Sequence, residues 1–133
     1  MKRALTFLSL CLISNLALAA ETYPWDLLKD RKFRDAYHLM LGKKSNETWL
    51  STLAGPAEPA KKITISDAEY LFMHSCKAHE CNSHNIVIIY SPTLLRVYGK
   101  LGEDGAVSTL GNPSAEISAA LDKLYNEEFG NTN

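Results

Sequence analysis

The chain has 133 residues, of which 46% are hydrophobic, with 14 Lys and Arg, 15 Asp and Glu, and three cysteines. This length suits one domain, and mixed charge without compositional runs excludes a disordered, collagen-like or nucleic-acid-coating polypeptide. The only long apolar run lies within the first 20 residues, which argues against a membrane-embedded protein.

That run reads as a secretory signal. Lys2 and Arg3 supply the charged start, Leu5 to Leu18 the apolar stretch, and Ala17-Leu18-Ala19 a small-x-small cleavage site. Ser9, Ser14 and Asn15 interrupt a stretch already short for a membrane span. The expectation is a signal peptide over 1–19 and a single domain over 20–133, with no membrane contact in the mature form. From residue 20 onward there are 12 basic and 15 acidic residues, a charge of about −3. Cys11 leaves with the signal, so only Cys76 and Cys81 enter a compartment where disulfides persist.

Phe33, Ala36, Tyr37 and Met40 recur at helical spacing, with Asp30 placed to cap the start and Gly42 to stop the end. Ser45 can cap a shorter turn or helix carrying Trp49, Leu50 and Leu53. Gly55-Pro56-Ala57-Glu58-Pro59 must then be irregular, because neither proline fits a helix interior.

From Ile63 the period changes. Ile63 and Ile65 alternate with Thr, and Tyr70 to Met73, Ile86 to Tyr90, Leu94 to Leu101 and Val107 to Leu110 follow as β-type runs. The expected connections, at Ser66-Asp67, Cys76 to Ser83, Ser91-Pro92 and Gly102 to Gly105, are too short for parallel crossovers. They predict a five-stranded antiparallel meander. The chain ends in a further helical pattern, with Asn112 as the cap, Pro113 at the first helical position, Ile117, Leu121, Leu124 and Tyr125 on one face, and Gly130 closing it. Helices before and after the strands predict an α+β domain with helices covering the sheet.

The chemistry is concentrated between two predicted strands. Residues 74–84, His74-Ser75-Cys76-Lys77-Ala78-His79-Glu80-Cys81-Asn82-Ser83-His84, hold three of the four histidines and both remaining cysteines. His and Cys at these intervals could ligate zinc in a periplasmic metal-binding protein. An oxidising compartment instead favours a Cys76–Cys81 disulfide, worth about 2 kcal/mol for so small a loop. Its local consequence would be larger, since Lys77 to Glu80 would be held as a rigid protrusion that loses little entropy on entering a partner's cleft. An enzyme fits least: no nucleophile, base and orienting group stand together, and the cysteines lack C-x-x-C spacing. His38, Trp25, Trp49 and Tyr70 read as packing residues, and His74 and His84 as strand-edge residues.

The segment Ser66 to Ser91, SDAEYLFMHSCKAHECNSHNIVIIYS, resembles the signature of the inhibitor of vertebrate lysozyme (Ivy) family, whose loop typically reads C-K-P-H-D-C between two strands. The resemblance extends over most of the mature chain, from a helical region leading to Glu47-Thr48-Trp49-Leu50 through strands on both sides of the cysteines. It implies a three-layer α/β/α sandwich around a five-stranded antiparallel sheet and a periplasmic location in a Gram-negative bacterium. It also implies inhibition of c-type lysozyme by insertion of the loop Cys76, Lys77, Ala78, His79, Glu80 and Cys81 into the active-site cleft, without cofactor or metal.

Carried over by position, His79 is the residue that would face the catalytic carboxylates, with Lys77 adding positive charge and the Cys76–Cys81 bond holding the shape. A lytic transglycosylase, with its acidic cleft, is an alternative target, and the family leaves a homodimer open. This loop departs from the family's pattern twice. Ala78 stands in the proline position and gives up a fixed φ, and Glu80 stands in the aspartate position and lengthens an acceptor that could otherwise bond the loop's own backbone.

Overall fold

The computed structural model describes residues 20–130; the expected signal peptide over 1–19 lies outside them. The elements follow the order α1 (Pro24–Leu27), α2 (Arg31–Leu41), α3 (Thr48–Thr52), β1 (Lys61–Ile65), β2 (Ala68–Cys76), β3 (His84–Ser91), β4 (Arg96–Glu103), β5 (Ala106–Leu110) and α4 (Ala115–Phe129). All five strands pair with their chain neighbours, antiparallel throughout, in the order β1-β2-β3-β4-β5. The fold is α+β, as the alternation of patterns predicts.

Period-two alternation in the central strands divides the core between the two faces of the sheet. Met73, Ile86, Ile88, Tyr90, Val97 and Leu101 face α2 and α3, where Phe33, Tyr37, Leu41, Leu50 and Leu53 close over them. Phe72, Val87, Ile89 and Tyr98 face the other way, against Ile117 and Leu121 of α4. β3 is apolar on both faces because it is the middle strand of three layers. The fully buried aliphatic and phenylalanine side chains of this core, such as Phe33, Leu50, Ile86, Ile88, Leu101 and Leu121, contribute about 1.5–3 kcal/mol each. The α2 layer is keyed further by Phe33, which meets Tyr90 edge-on at 5.1 Å, and by the Tyr37 hydroxyl, which donates to the Leu50 carbonyl at 2.8 Å.

Asp30 caps α2 as expected, its carboxylate accepting from the Lys32 N–H at 2.9 Å, and Gly42 ends it. Ser45 is not a cap: it lies within a 3₁₀ turn over Gly42–Asn46, where its hydroxyl donates to the Gly42 carbonyl. α3 starts only after Glu47, whose backbone is extended and whose carboxylate accepts from the Trp49 indole N–H instead of capping. Asn112 does not cap α4 either. It has φ 52 and helps reverse the chain after β5, Pro113 precedes the helix, and Ser114 is the cap, accepting from the Ile117 N–H.

The strand ends also shift. Leu94 and Leu95 belong to the turn Pro92–Leu95, where the Ser91 hydroxyl accepts from the Leu94 N–H, so β4 begins at Arg96. Ser66-Asp67 and Asp104-Gly105 are two-residue reversals with positive φ at both positions, the form that matches strand twist. β2 runs to Cys76 and β3 starts at His84, leaving Lys77 to Ser83 as the connection at one end of the sheet.

Candidate functional site

The loop Lys77 to Ser83 is built from two successive turns on the β2–β3 ladder. The Lys77 N–H donates to the His84 carbonyl at 2.9 Å, one step beyond the last strand pair, Cys76 with Asn85. The Glu80 N–H then donates to the Lys77 carbonyl at 2.9 Å, closing a turn with Ala78 and His79 at its centre. His79 alone of those two has positive φ, 67°, which is the pattern of a type II turn. The Glu80 carbonyl next accepts from the Ser83 and His84 N–H groups at 3.0 and 2.8 Å and returns the chain to β3. Cys76 and Cys81 form the disulfide across this structure, with Cα atoms 4.9 Å apart.

The base of the loop is braced from both helical layers. On the α3 side, Gly55 lies so close to β2 that a Cβ there would come within 1.7 Å of the Cys76 carbonyl oxygen, so only glycine fits. The next residue, Pro56, accepts from the Cys76 N–H at 3.3 Å. On the α4 side, the Tyr125 hydroxyl donates to Asn85 Oδ1 at 2.6 Å, and Asn85 Nδ2 donates to the Cys81 carbonyl at 2.8 Å. Gly102 makes room for this chain, because a Cβ there would meet the Tyr125 hydroxyl at 2.1 Å. Asn85 is buried and its amide is paired at both the nitrogen and the oxygen, so it is a fixed strut.

The tip is left to two residues. Ala78 and His79 are exposed, whereas Lys77, Glu80 and Cys81 are partly buried. The His79 imidazole, unlike those of His38, His74 and His84, has no partner among the described residues. Lys77 is not free: its ammonium lies 2.6 Å from the Glu80 carboxylate. That hydrogen bond holds Glu80 below the usual carboxylate range and raises Lys77, to which Glu47 and Asp104 add further negative surroundings. The longer acceptor at position 80 therefore binds the loop's own lysine.

The histidines and cysteines that cluster in sequence are dispersed in space. Cys76 and Cys81 are consumed in the disulfide, and His79 stands at the tip. His74 turns to the α4 face, 3.4 Å from a Glu128 oxygen and 3.7 Å from one of Glu58. His84, the first residue of β3, packs edge-on against Trp49 at 6.2 Å and bonds the Ser83 hydroxyl through Nδ1. Among the described residues, no three His, Cys, Asp or Glu side chains are placed to hold a metal ion. No described helix is long and apolar enough to cross a membrane.

Gly55, Pro56 and Tyr125 are not recognisable as loop supports in the sequence, where the first two read as an irregular connection and Tyr125 as one of a helical set. Asn85 alone left a signal, as the polar residue next to an unbroken apolar run. Beside the loop, a groove of about 570 Å³ lies between its root and α3, with Trp49 and Glu47 on its wall.

Residues 32–130 match the family described as inhibitor of vertebrate lysozyme (Ivy). The chain is 25% identical over 83 residues to the inhibitor of vertebrate lysozyme of Pseudomonas aeruginosa, covering 60% of this chain and 54% of that protein. It is 27% identical over 92 residues to the Escherichia coli K12 protein of the same name, covering 68% of this chain and 58% of that one. It thus spans little more than half the length of these curated relatives. Because the family match takes in every strand, the braced loop and the helices on both faces of the sheet, the chain belongs to the Ivy family.

Proposed function

We propose that this protein is an inhibitor of c-type lysozyme that acts in the periplasm, as a single domain from residue 20 onward after loss of a signal peptide. It is no enzyme and needs no cofactor: it blocks the lysozyme cleft with the loop Cys76 to Cys81. The names of the relatives support the target. The observation that carries the mechanism is His79, held exposed at the tip of a doubly braced, disulfide-closed loop with its imidazole unpartnered among the described residues.

A retaining glycosidase holds two carboxyl groups about 5–5.5 Å apart. An imidazole entering between them can donate from both nitrogens when protonated, or donate from one and accept from a protonated acid with the other. Burial in the cleft strengthens these bonds, because water is excluded around them. The loop supplies this group already ordered, so little conformational freedom is lost on binding.

The test is His79→Ala. Inhibition in a peptidoglycan-lysis assay with a purified c-type lysozyme should weaken by about 1–3 kcal/mol, the scale of a hydrogen bond to a charged group, with the melting temperature maintained. Unchanged inhibition would remove His79 from the mechanism.

A further inference from the structure

We propose that the groove beside the loop is a second docking site on the protein that the loop enters, and that it takes an arginine side chain from the rim of that protein's cleft. This rests on the loop-insertion reading, because the loop's own root forms one wall: Lys77 and Ala78 line the groove opposite Thr48, Trp49 and Thr52. A partner that admits Ala78 and His79 must bring the lip of its cleft over this opening. The volume of about 570 Å³ has room for a long side chain with the backbone that carries it.

The walls set the chemistry of the occupant. The Trp49 ring, the threonine methyl groups of α3, Ala54 and Ala78 offer apolar contact along the length of an alkyl stem. Glu47 supplies a carboxylate whose Oε2 accepts from the Trp49 N–H at 3.2 Å and whose Oε1 lies 3.4 Å from the Lys44 ammonium, leaving a further lone pair on each oxygen.

Lys77, on the groove wall, is occupied by Glu80, and Lys44, beside Glu47, is shared between Glu103 and Glu47. Asp104 adds a fourth carboxylate to the same surround, facing Lys77 and His84. The charged lining residues are Glu47 and Lys77, and with Lys77 already paired to Glu80, Glu47 is the carboxylate that a cation entering the groove would meet; beyond the lining, Glu103 and Asp104 keep the surround acidic. A long apolar stem ending in a cation is therefore the complementary group.

Arginine fits better than lysine, because its planar, weakly hydrated guanidinium can stack on an indole while forking to a carboxylate. The receiving surface is already fixed. Trp49 is tethered to Glu47 and seated edge-on against His84, so stacking requires little ordering of the indole.

The probe is a purified c-type lysozyme, with its Kd for the full protein measured by surface plasmon resonance. Glu47→Gln keeps the shape and an acceptor for Trp49 while removing the charge. Thr52→Phe, at an exposed position of α3, fills the groove. Each should raise Kd by about tenfold through faster dissociation, without moving the melting temperature. In a double-mutant cycle, Glu47→Gln should couple to replacement of one rim arginine of the lysozyme by alanine.

His79→Ala, run in parallel, separates the two readings. If it weakens binding while Glu47→Gln and Thr52→Phe change Kd by less than about twofold, the groove is no docking site and the loop stands. If His79→Ala is silent too, the insertion reading itself fails. Coupling to no rim arginine overturns the choice of occupant. Binding of an N-acetylglucosamine oligosaccharide to the protein alone, abolished by Thr52→Phe, would make the groove a glycan subsite and overturn the proposal.

Discussion

His79 occupies the left-handed region at the third position of its turn, where a side chain other than glycine or asparagine costs about 1–2 kcal/mol. The same geometry makes the preceding position receptive to proline, which fixes φ near the value a type II turn requires at its second residue. Ala78→Pro should therefore raise stability by about 0.4–1 kcal/mol by restricting the unfolded chain, and tighten inhibition by narrowing the free loop's ensemble. Urea unfolding and an inhibition constant would check both. Loss of stability would mean that the turn does not have the type II form.

If the loop enters the cleft as proposed, Lys77 and Glu80 bear on affinity from the same loop. Their pair is intact above the ordinary carboxylate range and weakens as pH falls through the lowered value of Glu80, with little effect on stability because both side chains are largely in water. Glu80→Gln frees the ammonium for the partner's carboxylates. Inhibition should tighten, with a gain that shrinks as salt is raised, and an unchanged inhibition constant would place Lys77 outside the contact.

At the scale of elements, the strut from α4 to the loop connects a helix late in the chain to the disulfide through two side chains, Tyr125 and Asn85. Tyr125→Phe removes the donor and leaves the buried Asn85 oxygen unpaired, at about 1–3 kcal/mol. Amide hydrogen exchange at Lys77 and Glu80 should accelerate more than in β4. Equal acceleration everywhere would show global loosening rather than a released strut.

Such a strut is not legible in a sequence, since it depends on which α4 residue lands opposite Asn85 after three layers have packed. Strands with buried faces were legible, because alternation of Ile, Val and Tyr reports burial directly. The exposed leucines of the Pro92–Leu95 turn carry the same apolar signal without the burial, and the positive φ of Leu95 leaves no trace in the sequence. Caps failed in a related way. Ser45 and Asn112 are suitable types at nearly suitable positions, but the true α4 cap, Ser114, is chosen by where the chain reverses at Gly111 and Asn112. The loop itself stood out because cysteines and histidines are rare enough for their spacing to carry information. Its supports, a glycine, a proline carbonyl, an amide and a phenol, are not.

For the molecule as a whole, the loop is only as rigid as the layers that clamp it, and the α2–α3 layer is locked by Tyr37. This side chain is fully buried between helices and sheet, and its hydroxyl donates to Leu50 in the helix that leads to Gly55 and Pro56. Burial pushes its ionisation far above the ordinary value near 10, and burial also raises Tyr90 and Tyr125. The folded protein thus keeps protons that the unfolded chain gives up. The resulting stability is fully present below about pH 10 and falls as pH rises beyond it, by about 1.4 kcal/mol per pH unit for one fully buried tyrosine. Tyr37→Phe should cost about 1 kcal/mol at neutral pH, by leaving the Leu50 carbonyl without its donor, and should make the alkaline decline shallower by that slope. Urea midpoints collected from pH 8 to 11 for both proteins give the comparison, and inhibition measured alongside should fade as the layer that braces the loop opens. Parallel declines for the two proteins would mean that Tyr37 ionises in the folded state, and that the α2–α3 layer is looser than its packing implies.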